Sequence, residues 1–124
     1  MINQSKSGSQ ERTYWFTLKI IELIDKLPKE TSTQIIAKQL LRSASSIGAN
    51  IAEAKGSSSR KDFTNYFNYS LKSAHETVYW LGLLKDANKF DKEAIDSLVD
   101  ELKEITRILG SSILTLKSKP RFNV

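Results

Sequence analysis

Apolar residues recur along this chain at intervals of three and four, the spacing that keeps side chains on one face of an α-helix. Four stretches carry the pattern, separated by short polar breaks. Residues 10–27 place Phe16, Ile20, Leu23, Ile24 and Leu27 on one stripe. Residues 31–55 do the same with Ile36, Leu40, Ala44, Ile47, Ile51 and Ala54. Residues 59–87 carry Phe63, Phe67, Ser70, Leu71, Ala74, Val78 and Leu81, and residues 91–117 carry Leu98, Leu102, Ile105, Leu109, Ile113 and Leu116.

The breaks hold the expected punctuation. Pro28 cannot continue a helix, Gly56-Ser57-Ser58-Ser59 reads as a loop, and Asn88-Lys89-Phe90-Asp91 as a second one. Thr31 or Ser32 is the expected cap of the second helix, since a hydroxyl there accepts a bond from a first-turn N–H. Ser59 with Asp62 resembles a capping box, and Asp91 is placed to cap the last helix. Lys117 and Lys119 fall at the negative end of that helix's dipole. With only five Gly and two Pro, a many-stranded β fold has too few turn residues. The pattern predicts an all-α, antiparallel up-down-up-down four-helix bundle over residues 10–119, flanked by tails 1–9 and 120–124. A coiled-coil hairpin dimer is the competing arrangement, and the separate breaks argue against it.

Second faces complicate this picture. Half a turn from its stripe, the second helix shows Ile35, Arg42, Ser46, Ala49 and Glu53, with Ser45 and Gly48 at the flank. Small side chains there would admit another backbone. The third helix shows Tyr69, Glu76, Trp80 and Leu83 opposite its stripe, beside Tyr66, Ser73 and Tyr79. A helix apolar on both sides is usually covered on both. Tyr and Trp are favoured at interfaces, so these residues predict self-association or a protein partner. Longer neighbouring helices or the N-terminal tail would be the alternative cover.

Composition adds a basic balance and removes most chemistry. The 124 residues suit one domain. They carry a formal charge of +5, from 19 Lys+Arg against 14 Asp+Glu. A mild basic excess permits nucleic-acid or other acidic partners, and serves solubility equally well. Between Lys38 and Lys72, six basic residues (Lys38, Arg42, Lys55, Arg60, Lys61, Lys72) face two acidic ones. Lys55, Arg60 and Lys61 flank the Ser loop, and Lys117, Lys119 and Arg121 make a second group. This suits backbone contact without sequence readout; solvated surface lysines would look the same. RNA or DNA is therefore one expected partner, and a protein partner without nucleic acid the other. The chain has no Cys and one His, His75, so thiolate ligands, a His pair and an activated serine are all missing from the sequence. No phosphate-loop, dinucleotide or metalloprotease motif occurs. The expectation is a protein that is not an enzyme and uses no cofactor or metal. No apolar run reaches the roughly 18 residues of a membrane span, and the first dozen residues lack a signal peptide's apolar stretch, which points to the cytoplasm.

One stretch carries a resemblance. Lys38-Gln39-Leu40-Leu41-Arg42-Ser43 and Ser46-Ile47-Gly48-Ala49-Asn50-Ile51-Ala52-Glu53-Ala54, followed by Lys61-Asp62-Phe63, Leu71-Lys72-Ser73, Glu76, Tyr79-Trp80-Leu81 and Leu83-Leu84, resemble the signature of the four helix bundle protein family. That family is also called the 23S rRNA intervening sequence protein or S23 family. The likeness runs from about Thr13 to Lys119. It departs at Ala44-Ser45, where Gly-Thr is frequent, and at Ala54-Lys55-Gly56, where a Gly often follows the Asn-Ile-Ala-Glu run. The resemblance implies a four-helix bundle, assembly into homopentamers and no known catalysis. It also implies a distant relation to the accessory variability determinant of diversity-generating retroelements, a basic pentameric bundle that binds nucleic acid. Carried onto this chain, its motif positions are Arg42, Ser46, Asn50 and Glu53, with Asn50 and Glu53 expected to hydrogen-bond across a helix pair or a subunit boundary.

Overall fold

A computed structural model describes residues 8–118. The tails beyond them, with Lys119 and Arg121, lie outside the described residues. Four helices follow in order: α1 (Ser9–Asp25), α2 (Thr31–Lys55), α3 (Arg60–Asp86) and α4 (Lys92–Ser118). Each packs on its chain neighbours and α1 closes against α4, so the helices stand at the corners of a square with alternating direction.

The ends follow from local chemistry. Helix α1 stops before Pro28 in a tightened turn, where the N–H groups of Lys26 and Leu27 donate to the carbonyls of Leu23 and Ile24. Leu27, just past the helix, still reaches the core. The residue flanking α2 is Glu30, with no side-chain cap, so the expected cap at Thr31 or Ser32 is not made. Thr31 is already helical, and a side chain on a helical residue is one position late for capping. At α3, Ser59 Oγ accepts from the Asp62 N–H at 3.1 Å, as expected. The Asp91 carboxylate does the same for the Ala94 N–H at 2.9 Å. Helix α3 ends in a Schellman turn: Lys89 N–H donates to Leu84 O, Asn88 N–H donates to Lys85 O, and Asn88 takes the left-handed φ of 59°.

The core is the four stripes brought together. Phe16, Ile20, Leu40, Ile47, Ile51, Leu81, Leu102 and Leu109 are fully buried, and Phe63 stacks on Phe67 at 4.9 Å. Ile24, Ile36, Leu71, Val78 and Leu98 line its edge, half-buried. Five polar residues are buried with them: Thr13, Thr33, Ser43, Ser70 and Thr77. Thr13 sits over Gly48. A Cβ at Gly48 would lie 3.0 Å from Thr13 Oγ1, so the glycine is what lets α1 approach α2 closely. The close approach anticipated at Gly48 is therefore made by α1 of the same chain.

Candidate functional site

Part of the second faces of α2 and α3, with the buried Ser43, Ser70 and Thr77 beside them, meets along one seam. Thr77 Oγ1 pairs with Ser43 Oγ at 2.9 Å, and Ser73 Oγ with Ser46 Oγ at 2.9 Å. Ser70 Oγ donates to the Ile47 carbonyl at 2.8 Å. Asn50 Nδ2 reaches Ser46 Oγ at 2.9 Å and the Ser46 carbonyl at 2.8 Å. Short hydroxyl side chains let the two backbones close and then satisfy each other, so the ladder pins register as well as adding stability. On the outer rim the Arg42 guanidinium pairs with the Glu76 carboxylate, which also accepts from Trp80 Nε1 at 2.8 Å.

These contacts redistribute the residues picked out in the sequence. Arg42, Ser46, Asn50 and Glu76 bond within α2 or across the α2–α3 seam of one chain. Trp80 packs against the core and Leu83 is half-buried, so neither stands free in water. Glu53 is exposed on α2. Ile35 (58% exposed), Tyr69 (49%) and Tyr79 (59%) remain as uncovered apolar surface. Ala49 belongs elsewhere, in a groove between α1 and α2.

The indole bond of Trp80, with Arg42 adding to it, holds the Glu76 carboxyl below the usual carboxylate range. A lowered folded-state value means the stabilisation is complete above the ordinary carboxylate range and is lost as pH falls through the lowered one. Because Arg42 and Glu76 are both substantially exposed, we expect Glu76→Gln to cost only about 0.5 kcal/mol at neutral pH. In urea titrations this difference should shrink to nothing in acid; a gap that is constant with pH would refute the electrostatic account.

The alternation of helix directions gathers basic residues at one end. Helix α2 ends there with Lys55, α3 begins there with Arg60 and Lys61, and α4 ends there with Lys117. Lys55, Lys61 and Lys117 are exposed and Arg60 is half-buried. Glu53 and Asp62 lie among them. Lys38 stands apart, about 25 Å up α2 at 1.5 Å per residue, and Arg42 is engaged with Glu76. The structure thus joins the loop group to Lys117 and separates Lys38 and Arg42 from both.

Beside this end opens the α1–α2 groove, about 720 Å³, with Tyr14 on its wall, Ser45, Gly48, Ala49 and Ala52 along α2, and Lys55 at its edge. Helical periodicity singles out the α2 residues but not Tyr14, because nothing in the pattern says which neighbour α1 leans on. Among the described residues no group of three or more His, Cys, Asp or Glu side chains is placed to share a metal ion.

Residues 8–111 match the model of the 23S rRNA-intervening sequence protein family. The chain belongs to that family. A crystal structure of a protein with unknown function from the S23 ribosomal protein family of Bacteroides thetaiotaomicron VPI-5482 is similar, with a TM-score of 0.80 and 39% identity over 86% of this chain and 98% of that one. No curated protein matches. The resemblance drawn from the Lys38–Ala54 stretch is thereby shown, and with it the bundle. No helix among the described residues is long and apolar enough to cross a membrane.

Proposed function

We propose that this member of the 23S rRNA-intervening sequence protein family is a non-catalytic, self-assembling bundle that binds the phosphate backbone of RNA or DNA in the cytoplasm. The observation that carries the reading is the gathering of Lys55, Arg60, Lys61 and Lys117 at one end of a chain of net charge +5. Cations grouped at a surface of this kind release condensed counterions from a nucleic acid and need no base contacts. Exposed Ile35, Tyr69 and Tyr79 support self-assembly, since uncovered Tyr and aliphatic side chains favour an interface; the S23 resemblance points to five copies.

The test is a titration of the intact assembly with labelled RNA and DNA at several salt concentrations. Affinity should fall linearly on a log–log plot, with a slope of about −0.7 to −0.9 per phosphate neutralised. Lys55→Glu/Arg60→Glu/Lys61→Glu should weaken binding at least about tenfold and flatten the slope. No binding at low salt sinks the reading. The same exposed aromatics favour a second one, an adaptor that docks a protein and ignores nucleic acid. Co-purification of a partner that survives nuclease would favour the adaptor, and a particle of 14.0 kDa in light scattering would remove self-assembly.

A further inference from the structure

We infer that the α1–α2 groove is a stacking site for an unpaired base of a single-stranded nucleic acid, with the adjoining phosphate against Lys55. The inference rests on the nucleic-acid reading above and adds what that reading lacks, a way to distinguish single strands from duplexes.

The groove's volume of about 720 Å³ falls in the roughly 300–1,000 Å³ range of small-ligand clefts. Its wall is Tyr14, 63% exposed, whose ring is held edge-to-face by Trp15 at 6.0 Å and 89°. Its floor cannot fill it: Ser45, Gly48, Ala49 and Ala52 are all small, and Gly48 is kept without a Cβ by Thr13. A reachable aromatic face over an apolar floor accepts any base by stacking. Gln10 and Glu11 also line the groove. An amide and a carboxylate complement the exocyclic amines and ring nitrogens that an unpaired base exposes. Lys55 belongs to both the groove and the basic end, so a strand whose base enters the groove has its backbone at the end of the bundle where α3 begins with Arg60 and Lys61. The groove's own lining balances Glu11 against Lys55, but the end it opens beside carries Lys55, Arg60, Lys61 and Lys117. That basic end favours a nucleic acid strand over a second copy of this chain, itself of net charge +5, as the occupant. Paired bases stay inside a duplex and have no access to the groove.

The experiment compares full-length wild type, Tyr14→Ala, Tyr14→Phe and Ala52→Leu for binding to labelled single-stranded RNA, single-stranded DNA and a duplex of the same sequence. Tyr14 and Ala52 are exposed, so neither change threatens the core. Tyr14→Ala and Ala52→Leu should each weaken single-strand binding about tenfold with the salt slope unchanged. Tyr14→Phe should bind as wild type, and duplex binding should not respond to any of the three. Single-strand affinity unaffected by Tyr14→Ala and Ala52→Leu, while the Lys55/Arg60/Lys61 variant still loses binding, overturns the groove and leaves the basic end standing. Absence of all salt-dependent binding in the wild type overturns both. A change of particle mass in Ala52→Leu would show the groove to be a subunit contact and overturn the inference.

Discussion

Gly48→Leu should destabilise the protein by about 3 kcal/mol, read as a lower urea midpoint. A Cβ at this position already meets Thr13 Oγ1 at 3.0 Å and Thr13 Cβ at 3.5 Å. Thr13 cannot step aside, because it is fully buried and its hydroxyl is bonded to the Gln10 carbonyl at 2.9 Å. The remaining carbons of leucine would have to enter α1 itself. The relief available is to move α1 off α2, which breaks the Thr17 contact to the Ala44 carbonyl and uncovers Phe16 and Ile20. Gly48→Ala separates the two terms: about 1 kcal/mol of helix propensity is gained, and a few tenths of an ångström must be found at Thr13. Gly82 and Gly110 are the controls. Both are helical, and a Cβ on either would have nothing within 4 Å, so alanine there should stabilise by up to about 1 kcal/mol. If Gly48→Leu proves as stable as wild type, the close α1–α2 crossing is wrong.

Phe16→Ala should cost about 3–5 kcal/mol, the usual loss for a large aromatic removed from a core. Phe16 is fully buried on the shortest helix, with Ile20 and Leu23 continuing its stripe. The loss is large against the roughly 5–15 kcal/mol that holds a domain of this size together. The wall around the cavity cannot easily collapse, because α1 is tied to α2 at Gly48 and to α4 by the Lys19–Glu101 pair at 2.9 Å. Thermal unfolding followed by circular dichroism should show a correspondingly lower midpoint, and a change below about 1 kcal/mol would place Phe16 outside the core. The two substitutions act on the same helix from opposite directions, one by overfilling and one by emptying. They should therefore not add when combined, since a single displaced α1 accounts for both.

Helices, breaks and most of the core are legible in the amino-acid pattern alone. Apolar spacing of three and four is a property of the chain itself, and burial selects that spacing directly. Ser59 and Asp91 are readable as caps because capping is local chemistry, completed within three residues. Thr31 and Ser32 carry the same local signal without capping, because the choice of first helical residue also depends on how α2 docks, which no local rule contains. The seam shows the same division. Ser46, Asn50 and Glu76 can be assigned to a second face, but the pattern is the same whether that face meets water, a partner or another helix. The structure sets Arg42 and Ser46 of α2 against Glu76 and Ser73 of α3, so these residues satisfy one another and need no partner chain to do so, while Ile35, Tyr69 and Tyr79 stay uncovered.

The sequence by itself determined four amphipathic helices, their order, their basic excess and the family signature, since each of these lies in contiguous residues. Tertiary structure alone decided which helices touch and in what register, because contacts such as Thr13 on Gly48 and Ser73 on Ser46 join residues 35 and 27 apart in the chain. It also decided where the charges collect. Lys55 and Lys117 are 62 residues apart and share one end of the bundle only because an up-down-up-down chain returns α4 to the level at which α2 stops.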